Sequence, residues 1–168
     1  LAHTVICQSE SLRNVAIDEE LVEAEKSIVL ASGSNGVDAV GRFEPERWAF
    51  RRGEIRAELS ISDDALVVGF VGRLVGDKGI NELAQAWGHL RDEYANAHLL
   101  LVGPYEERDP VPASTRRILD DDPRVHHIGF TRDTPSYYAA MDILTLPTYR
   151  EGFPNVPLEA AAMALPVV

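Results

Sequence analysis

From residue 65 onward the chain alternates two kinds of hydrophobic pattern. Short runs that are apolar at most positions, at 66–71 (LVVGFV), 98–102 (HLLLV), 125–128 (VHHI), 143–146 (ILTL) and 166–168 (PVV), are separated by longer segments of mixed polarity. A run without a polar alternate has no wet face, which is how a strand buried on both sides of a parallel sheet reads. Between the runs, apolar residues recur at helical spacing, as Leu83, Ala84, Trp87 and Leu90 do within 80–94. The spacing predicts helices at 80–94, 114–119, 136–141 and 156–164. These connections are too long for hairpins, so the strands must lie parallel with helices crossing between them. The predicted fold is α/β, a doubly wound parallel sheet with helices on both faces.

Ahead of residue 65 the rhythm is looser. A strand at 4–7 precedes a helix opened by SESLRN with Ser9 as its cap. An acidic stretch at 18–25 leads to a second strand at 27–31. The turn formers SGSNGVD at 32–38 mark a linker or hinge, and a polar, basic helix is expected at 45–59. The turn formers thus separate this looser start from the doubly wound part of the chain. In the common Rossmann strand order 3-2-1-4-5-6, the runs at 66–71 and 143–146 are neighbours, and ligands bind in the crevice beyond their ends. Two unusual loops, GRLVGDKG at 72–79 and PTYREGFPN at 147–155, would then face each other.

Composition narrows the function classes. The 168 residues are 45% hydrophobic and 26% charged, which suits a globular domain, and the formal net charge of −11 disfavours nucleic acid or an anionic membrane surface as partner. No apolar run approaches the roughly 20 residues of a membrane helix, and LAHTVICQSE has neither the basic start nor the long apolar core of a signal peptide. The single cysteine, Cys7, excludes an internal disulfide and fits a reducing compartment, so the expected location is the cytoplasm. Against this acidic background four cations, Arg73, Lys78, Arg132 and Arg150, fall in loops at one edge of the predicted sheet.

Arg73 and Lys78 flank a turn with glycines at 72, 76 and 79, whose backbone can approach an anion closely while the two cations neutralise it. The spacing matches neither GxxxxGK[ST] nor GxGxxG. Glu151 is expected on the following loop and Glu159 in the first turn of the next helix, with Asn155 as N-cap and Pro157 tolerated just inside. The two carboxylates fit three roles: an acid/base pair, ligands for hydroxyls, or solvated and capping surface groups. Asp142 reads as a helix-end or turn residue rather than a catalytic one, and Trp48 and Trp87 as packing residues. The histidines at 3, 89, 98, 126 and 127 are scattered, and His126 and His127 point to opposite faces of a strand. With one cysteine and no HExxH, no metal site is expected, and no GxSxG elbow is present.

The segments GFVGRLVGDKG, LLLVG, VHHIGF and EGFPNVPLEAAAMALPVV resemble the nucleotide-sugar-binding C-terminal domain of retaining glycosyltransferases of GT-B fold, in the large family 4 group, whose Glu-x7-Glu pattern stands here as Glu151 and Glu159. The resemblance implies a catalytic set of Arg73, Lys78 and Glu151. Arg73 and Lys78 would hold the donor diphosphate and Glu151 the hydroxyls of the transferred sugar. Gly72, Gly152, Phe153, Pro154 and Asn155 would line the donor, Glu159 would take the ribose, and Gly129, Phe130 and Thr131 the base. It implies a UDP-sugar donor with GDP as runner-up, retention of configuration, and neither cofactor nor obligatory metal. It implies that residues 1–38 are an interdomain segment with the end of an N-terminal domain, and 39–168 a Rossmann-like donor-binding domain incomplete at its C-terminus. The acceptor, a glycan or lipid-linked sugar, would be bound by the N-terminal domain, which this chain lacks. The parent enzyme would work in the cytoplasm or peripherally at the inner membrane face, and the fragment alone would at most bind donor. The alternatives are a nucleotide-sugar epimerase or phosphorylase of the same fold, the latter needing a pyridoxal-phosphate lysine for which no candidate stands out, and a non-catalytic sugar-nucleotide-binding module.

Overall fold

The computed structural model describes residues 2–30 and 36–168. Most of the hinge expected at 32–38, and the end of the strand expected at 27–31, lie outside the described residues. The chain opens with a small parallel pair, β1 (Val5–Cys7) and β2 (Ser27–Val29), joined through α1 (Glu10–Asp18). Ser9 caps α1 as its sequence position predicts, its hydroxyl accepting from the Leu12 amide at 3.2 Å. Arg13 ties α1 to β2 by donating to the carbonyls of Ser27 and Ala24, both at 3.1 Å.

After α2 (Pro45–Glu58) comes the regular alternation: β3 (Leu66–Val71), α3 (Ile80–Glu93), β4 (Ala97–Val102), α4 (Ala113–Asp120), β5 (Val125–Gly129), α5 (Thr134–Ala140), β6 (Ile143–Leu144) and α6 (Val156–Ala162). The sheet order is β5-β4-β3-β6, parallel throughout. The first and fourth strands of this unit, β3 and β6, are therefore neighbours, as the doubly wound order requires. Their ladder is short, with only Val68↔Ile143 and Gly69↔Leu144 in register. The strand expected at 166–168 is reduced to a parallel bridge between Leu144 and Val167, supported by Leu146 N–H donating to the Val168 carbonyl at 2.7 Å.

Strand residues alternate between two cores. Val67, Leu100, Val102 and Leu144 face Ile55 of α2, Tyr138 and Ala140 of α5, and Ala160 of α6. Phe70, Leu99 and Leu101 face Ile80, Leu83, Ala84 and Trp87 of α3 and Leu119 of α4. Trp87 is a packing residue, as expected, with its indole N–H satisfied by Asp122 at 3.1 Å. Gly69 lets Met141 lie against β3, because a Cβ there would stand 2.0 Å from the Met141 sulfur.

The polar helix α2 turns two of its arginines inward. Arg56 has no solvent exposure, and its guanidinium donates to the carbonyls of Ala140, Ser62, Asp63 and Ala65 at 3.0–3.2 Å and to Asp142 at 2.8 Å. Asp142 also accepts from Arg52 at 2.6 Å and from the Val67 amide at 2.7 Å. Burial alone would raise its carboxyl pKa. The Val67 amide and the two guanidiniums outweigh that and hold it below the usual carboxylate range. Asp142 is thus no ordinary turn residue but the anchor that joins α2 to the foot of β6 and the start of β3.

Candidate functional site: the mouth between β3 and β6

Beyond the C-terminal ends of β3 and β6 the chain opens into a cavity of about 310 Å³, lined by Gly72, Arg73, Lys78 and the run 151–156. A smaller cavity of about 190 Å³ continues past Gly72 and Arg73 to Phe130, Thr131 and Thr134. The two share Val71, Gly72 and Arg73 as a common wall. Of the expected donor residues, Gly72, Arg73, Lys78, Glu151, Gly152, Phe153, Pro154 and Asn155 line the first cavity, and Phe130 and Thr131 the second. Gly129 lines neither. With φ at +74° it ends β5 and turns the chain so that Phe130 stands 75% exposed at the rim.

The glycines of the 72–79 loop do not share one role. Gly79 lies at φ +71°, and a Cβ on it would come 2.0 Å from the Pro147 carbonyl oxygen. It brings the loop after β3 against the loop after β6. Gly72 is approached from behind by Gly103, where a Cβ would meet the Gly72 oxygen at 1.8 Å. His127 braces that contact with a ring N–H to the Gly103 carbonyl at 2.8 Å. Gly76, grouped with them on sequence, has no positive φ, and a Cβ there meets nothing closer than Asp109 at 4.0 Å.

Three of the four loop cations are ion-paired. Lys78 binds Glu151, Arg73 binds Glu106 at 2.7 Å and Arg150 binds Asp77 at 2.5 Å. The Arg132 guanidinium has no ion pair among the described residues, and its carbonyl accepts from Arg42 at 2.6 Å. Neither Arg132 nor Arg150 lines either cavity, so the expected cluster of four reduces to Arg73 and Lys78. The loops are latched further by the Tyr149 amide donating to the Asp77 carbonyl at 3.0 Å and the Tyr149 hydroxyl to Glu82 at 2.8 Å.

Glu159 departs from the expected pairing with Glu151. It sits behind the mouth, lines neither cavity and accepts from the Tyr138 hydroxyl at 2.9 Å. Burial raises its pKa, against the opposing pull of Tyr138 and of Arg42. Asn155 does not cap α6 as expected. Its backbone is already helical, so its side chain makes no capping bond to the helix, while its carbonyl accepts from the Glu159 amide at 2.8 Å.

Sequence reasoning missed Gln8, which lines the larger cavity, and Glu106 and Asp77, which hold the loop arginines. The signal for Glu106 was its place in the loop after the strand beside β3; for Gln8 there was none. It also left the histidines scattered, whereas Nδ1 of His98 and Nε2 of His126 lie 3.0 Å apart at the other end of the sheet. Burial lowers both pKa values, helped at His98 by the charges of Arg124 and Arg56 against the pull of Asp122, and at His126 by His98. Among the described residues no three His, Cys, Asp or Glu side chains are grouped to hold a metal, and no helix is long and apolar enough to cross a membrane.

The parallel sheet, in the order β5-β4-β3-β6 with helices on both faces, has the α/β fold found in GT-B glycosyltransferase structures. Residues 65–168 match the family described as glycosyl transferases group 1, and the chain belongs to that family. It is 35% identical, over 99% of its length, to the capsular polysaccharide biosynthesis glycosyltransferase CapM of Staphylococcus aureus, and covers 43% of that protein. The fold superposes with TM-score 0.74 on Anabaena HepE in complex with UDP-glucose, at 26% identity, covering 99% of this chain and 44% of that one. It superposes with TM-score 0.77 on WaaG, a glycosyltransferase involved in lipopolysaccharide biosynthesis, at 22% identity, covering 96% of this chain and 42% of that one. The chain thus spans less than half the length of these relatives.

Proposed function

We propose that the mouth between β3 and β6 binds a nucleoside diphosphate sugar, with UDP as the nucleotide, and that the protein of which this donor site is part is a retaining glycosyltransferase of the family 4 group. The observation that carries this reading is the shared cavity of Arg73, Lys78 and Glu151, two cations and a carboxylate at the switch point. The UDP-glucose complex of the HepE relative supports the choice of donor. Arg73 and Lys78 take the diphosphate and stabilise charge on it as the bond to the sugar breaks. Glu151 grips sugar hydroxyls, and the amides of Gly152 and Phe153 complete that wall. The base lies in the smaller cavity beside Phe130 and Thr131, past Gly129. Glu159, behind the mouth, reaches the ribose on exchanging its Tyr138 partner. No step in this reading draws on a metal or cofactor. The acceptor is a growing polysaccharide, in line with the capsular polysaccharide biosynthesis in the name of the CapM relative, or a glycolipid. It is held by an N-terminal domain of the whole protein, and transfer takes place in the cytoplasm or at the inner membrane face.

The test is titration calorimetry with UDP and UDP-glucose. Both are expected to bind, and Arg73→Ala and Lys78→Ala each to weaken UDP by about tenfold or more, since a hydrogen bond to a charged group contributes about 1.5–3 kcal/mol. Equal binding by both variants and the unsubstituted chain would refute the assignment. An epimerase would convert UDP-glucose without an acceptor, and a phosphorylase would require free phosphate, so product analysis separates them.

A further inference from the structure

One lining residue of the mouth comes from the chain ahead of the main sheet. Gln8 stands between β1 and α1, in the segment ahead of the main sheet, and lines the same cavity as Lys78 and Glu151. Packing across Gly152 holds it there. A Cβ at position 152 would lie 2.8 Å from Gln8 Oε1 and 2.9 Å from Leu12 Cδ1, so the ends of both side chains rest against the glycine of the loop. The Gln8 carboxamide is exposed and takes no hydrogen-bond partner among the described residues. Lys78, Glu151 and Arg73, by contrast, are already satisfied by ion pairs.

An amide in that position differs chemically from its neighbours. It offers two donors and two acceptors without charge. It therefore neither draws the diphosphate as Arg73 and Lys78 do nor repels it as a second carboxylate would. What it matches is a neutral group that both donates and accepts, which is a hydroxyl. We propose that Gln8 hydrogen-bonds a hydroxyl of the transferred sugar and so helps determine which sugar the donor site accepts. The proposal rests on the sugar-nucleotide reading of the mouth and extends it to the N-terminal segment, which becomes part of the donor site. A hydrogen bond from Gln8 adds to the affinity of a sugar that carries the hydroxyl in that place and adds nothing for one that lacks or inverts it.

Titration calorimetry of this chain with UDP, UDP-glucose, UDP-galactose and UDP-N-acetylglucosamine tests the assignment in the unsubstituted chain, Gln8→Ala and the similarly sized apolar Gln8→Leu. Both variants are expected to leave the Kd for UDP within about twofold and to weaken the preferred UDP-sugar by about three- to tenfold, the effect of one neutral hydrogen bond. The spread of affinities across the three sugars narrows with it. Equal weakening of UDP and UDP-sugar would reduce Gln8 to a packing role and overturn the proposal, and so would an unchanged sugar preference. Should the unsubstituted chain bind neither UDP nor any of the sugars, the sugar-nucleotide reading itself falls and this one with it. Unchanged melting temperatures in both variants establish that the fold is intact.

Discussion

Replacing Glu151 by Gln is expected to move the affinities for UDP and for a UDP-sugar in opposite directions. Lys78 and Glu151 bind each other, although the proposed function assigns one to the diphosphate and the other to the sugar. A diphosphate must therefore draw Lys78 off a carboxylate before it gains the lysine. The side chains of the pair are 19% and 25% exposed. That places the pair above the roughly 0.2–1 kcal/mol of a solvated pair and below the roughly 3–5 kcal/mol lost when a fully buried one is broken. The glutamine amide still accepts a hydrogen bond from Lys78, so the gain for UDP in Glu151→Gln is about 1 kcal/mol, roughly fivefold in Kd. A UDP-sugar meanwhile loses hydrogen bonds to a charged acceptor, about 1.5–3 kcal/mol, and should bind about twofold or more weakly overall. Calorimetry at low and high salt reads both effects, and the gain for UDP should shrink as salt rises. If UDP binds Glu151→Gln no better than the unsubstituted chain while the sugar preference survives, the division of labour between Lys78 and Glu151 is refuted.

Asp142→Ala leaves the buried Arg56 charge without its carboxylate. With the Asp142 side chain 27% exposed, the expected loss is about 3 kcal/mol, at the lower end for a buried pair, read as a lower urea midpoint at unchanged slope; a loss below about 1 kcal/mol would show the anchor idle. The depressed pKa of Asp142 means that the unfolded chain binds the proton more readily. Its stabilisation is therefore complete above the ordinary carboxylate value of about 3.9 and is lost as pH falls through the lower folded value, so Asp142→Ala should flatten the acid limb of the stability curve. His98 and His126 act the same way at higher pH, their folded pKa values lying below the ordinary value of about 6.5. Stability should fall on acidification from there through those lower values, and His98→Gln with His126→Gln should remove that slope; an identical slope in the double variant would refute the pairing. Gly79→Ala forces a side chain into a left-handed turn and against the Pro147 carbonyl, and should lose about 2 kcal/mol or more together with UDP binding, whereas Gly76→Ala should do neither.

The parts of this molecule that were legible in advance are those written in local pattern. LVVGFV marks β3 at its observed ends because a strand buried on both faces has no polar residue to blur it. The adjacency of β3 and β6 followed from doubly wound topology, and so did the facing of their loops. What stayed hidden depends on partners far along the chain. Arg56 and Asp142 lie 86 positions apart, and nothing in PERWAFRRGEIRAE separates the arginine that turns inward from those that stay wet. The pairing of Lys78 with Glu151 across 73 positions, and the contact of Gly79 with Pro147, are likewise properties of the folded edge. Asn155 misled for a different reason. Capping is a matter of backbone dihedrals, and at φ −79° and ψ −28° the asparagine is already inside the helical region that a cap must precede.

In mechanical terms, the Asp142 anchor makes α2 and β6 one lever. Two guanidiniums from α2 clasp the carboxylate at the foot of β6, and the other end of that strand runs through Pro147 into the loop that carries Glu151. A pull on the chain where it enters α2 at Pro45 is thus delivered to the base of the mouth rather than spent in sliding a surface helix. Whatever is coupled to residues ahead of α2 has a rigid handle on the wall that carries Glu151.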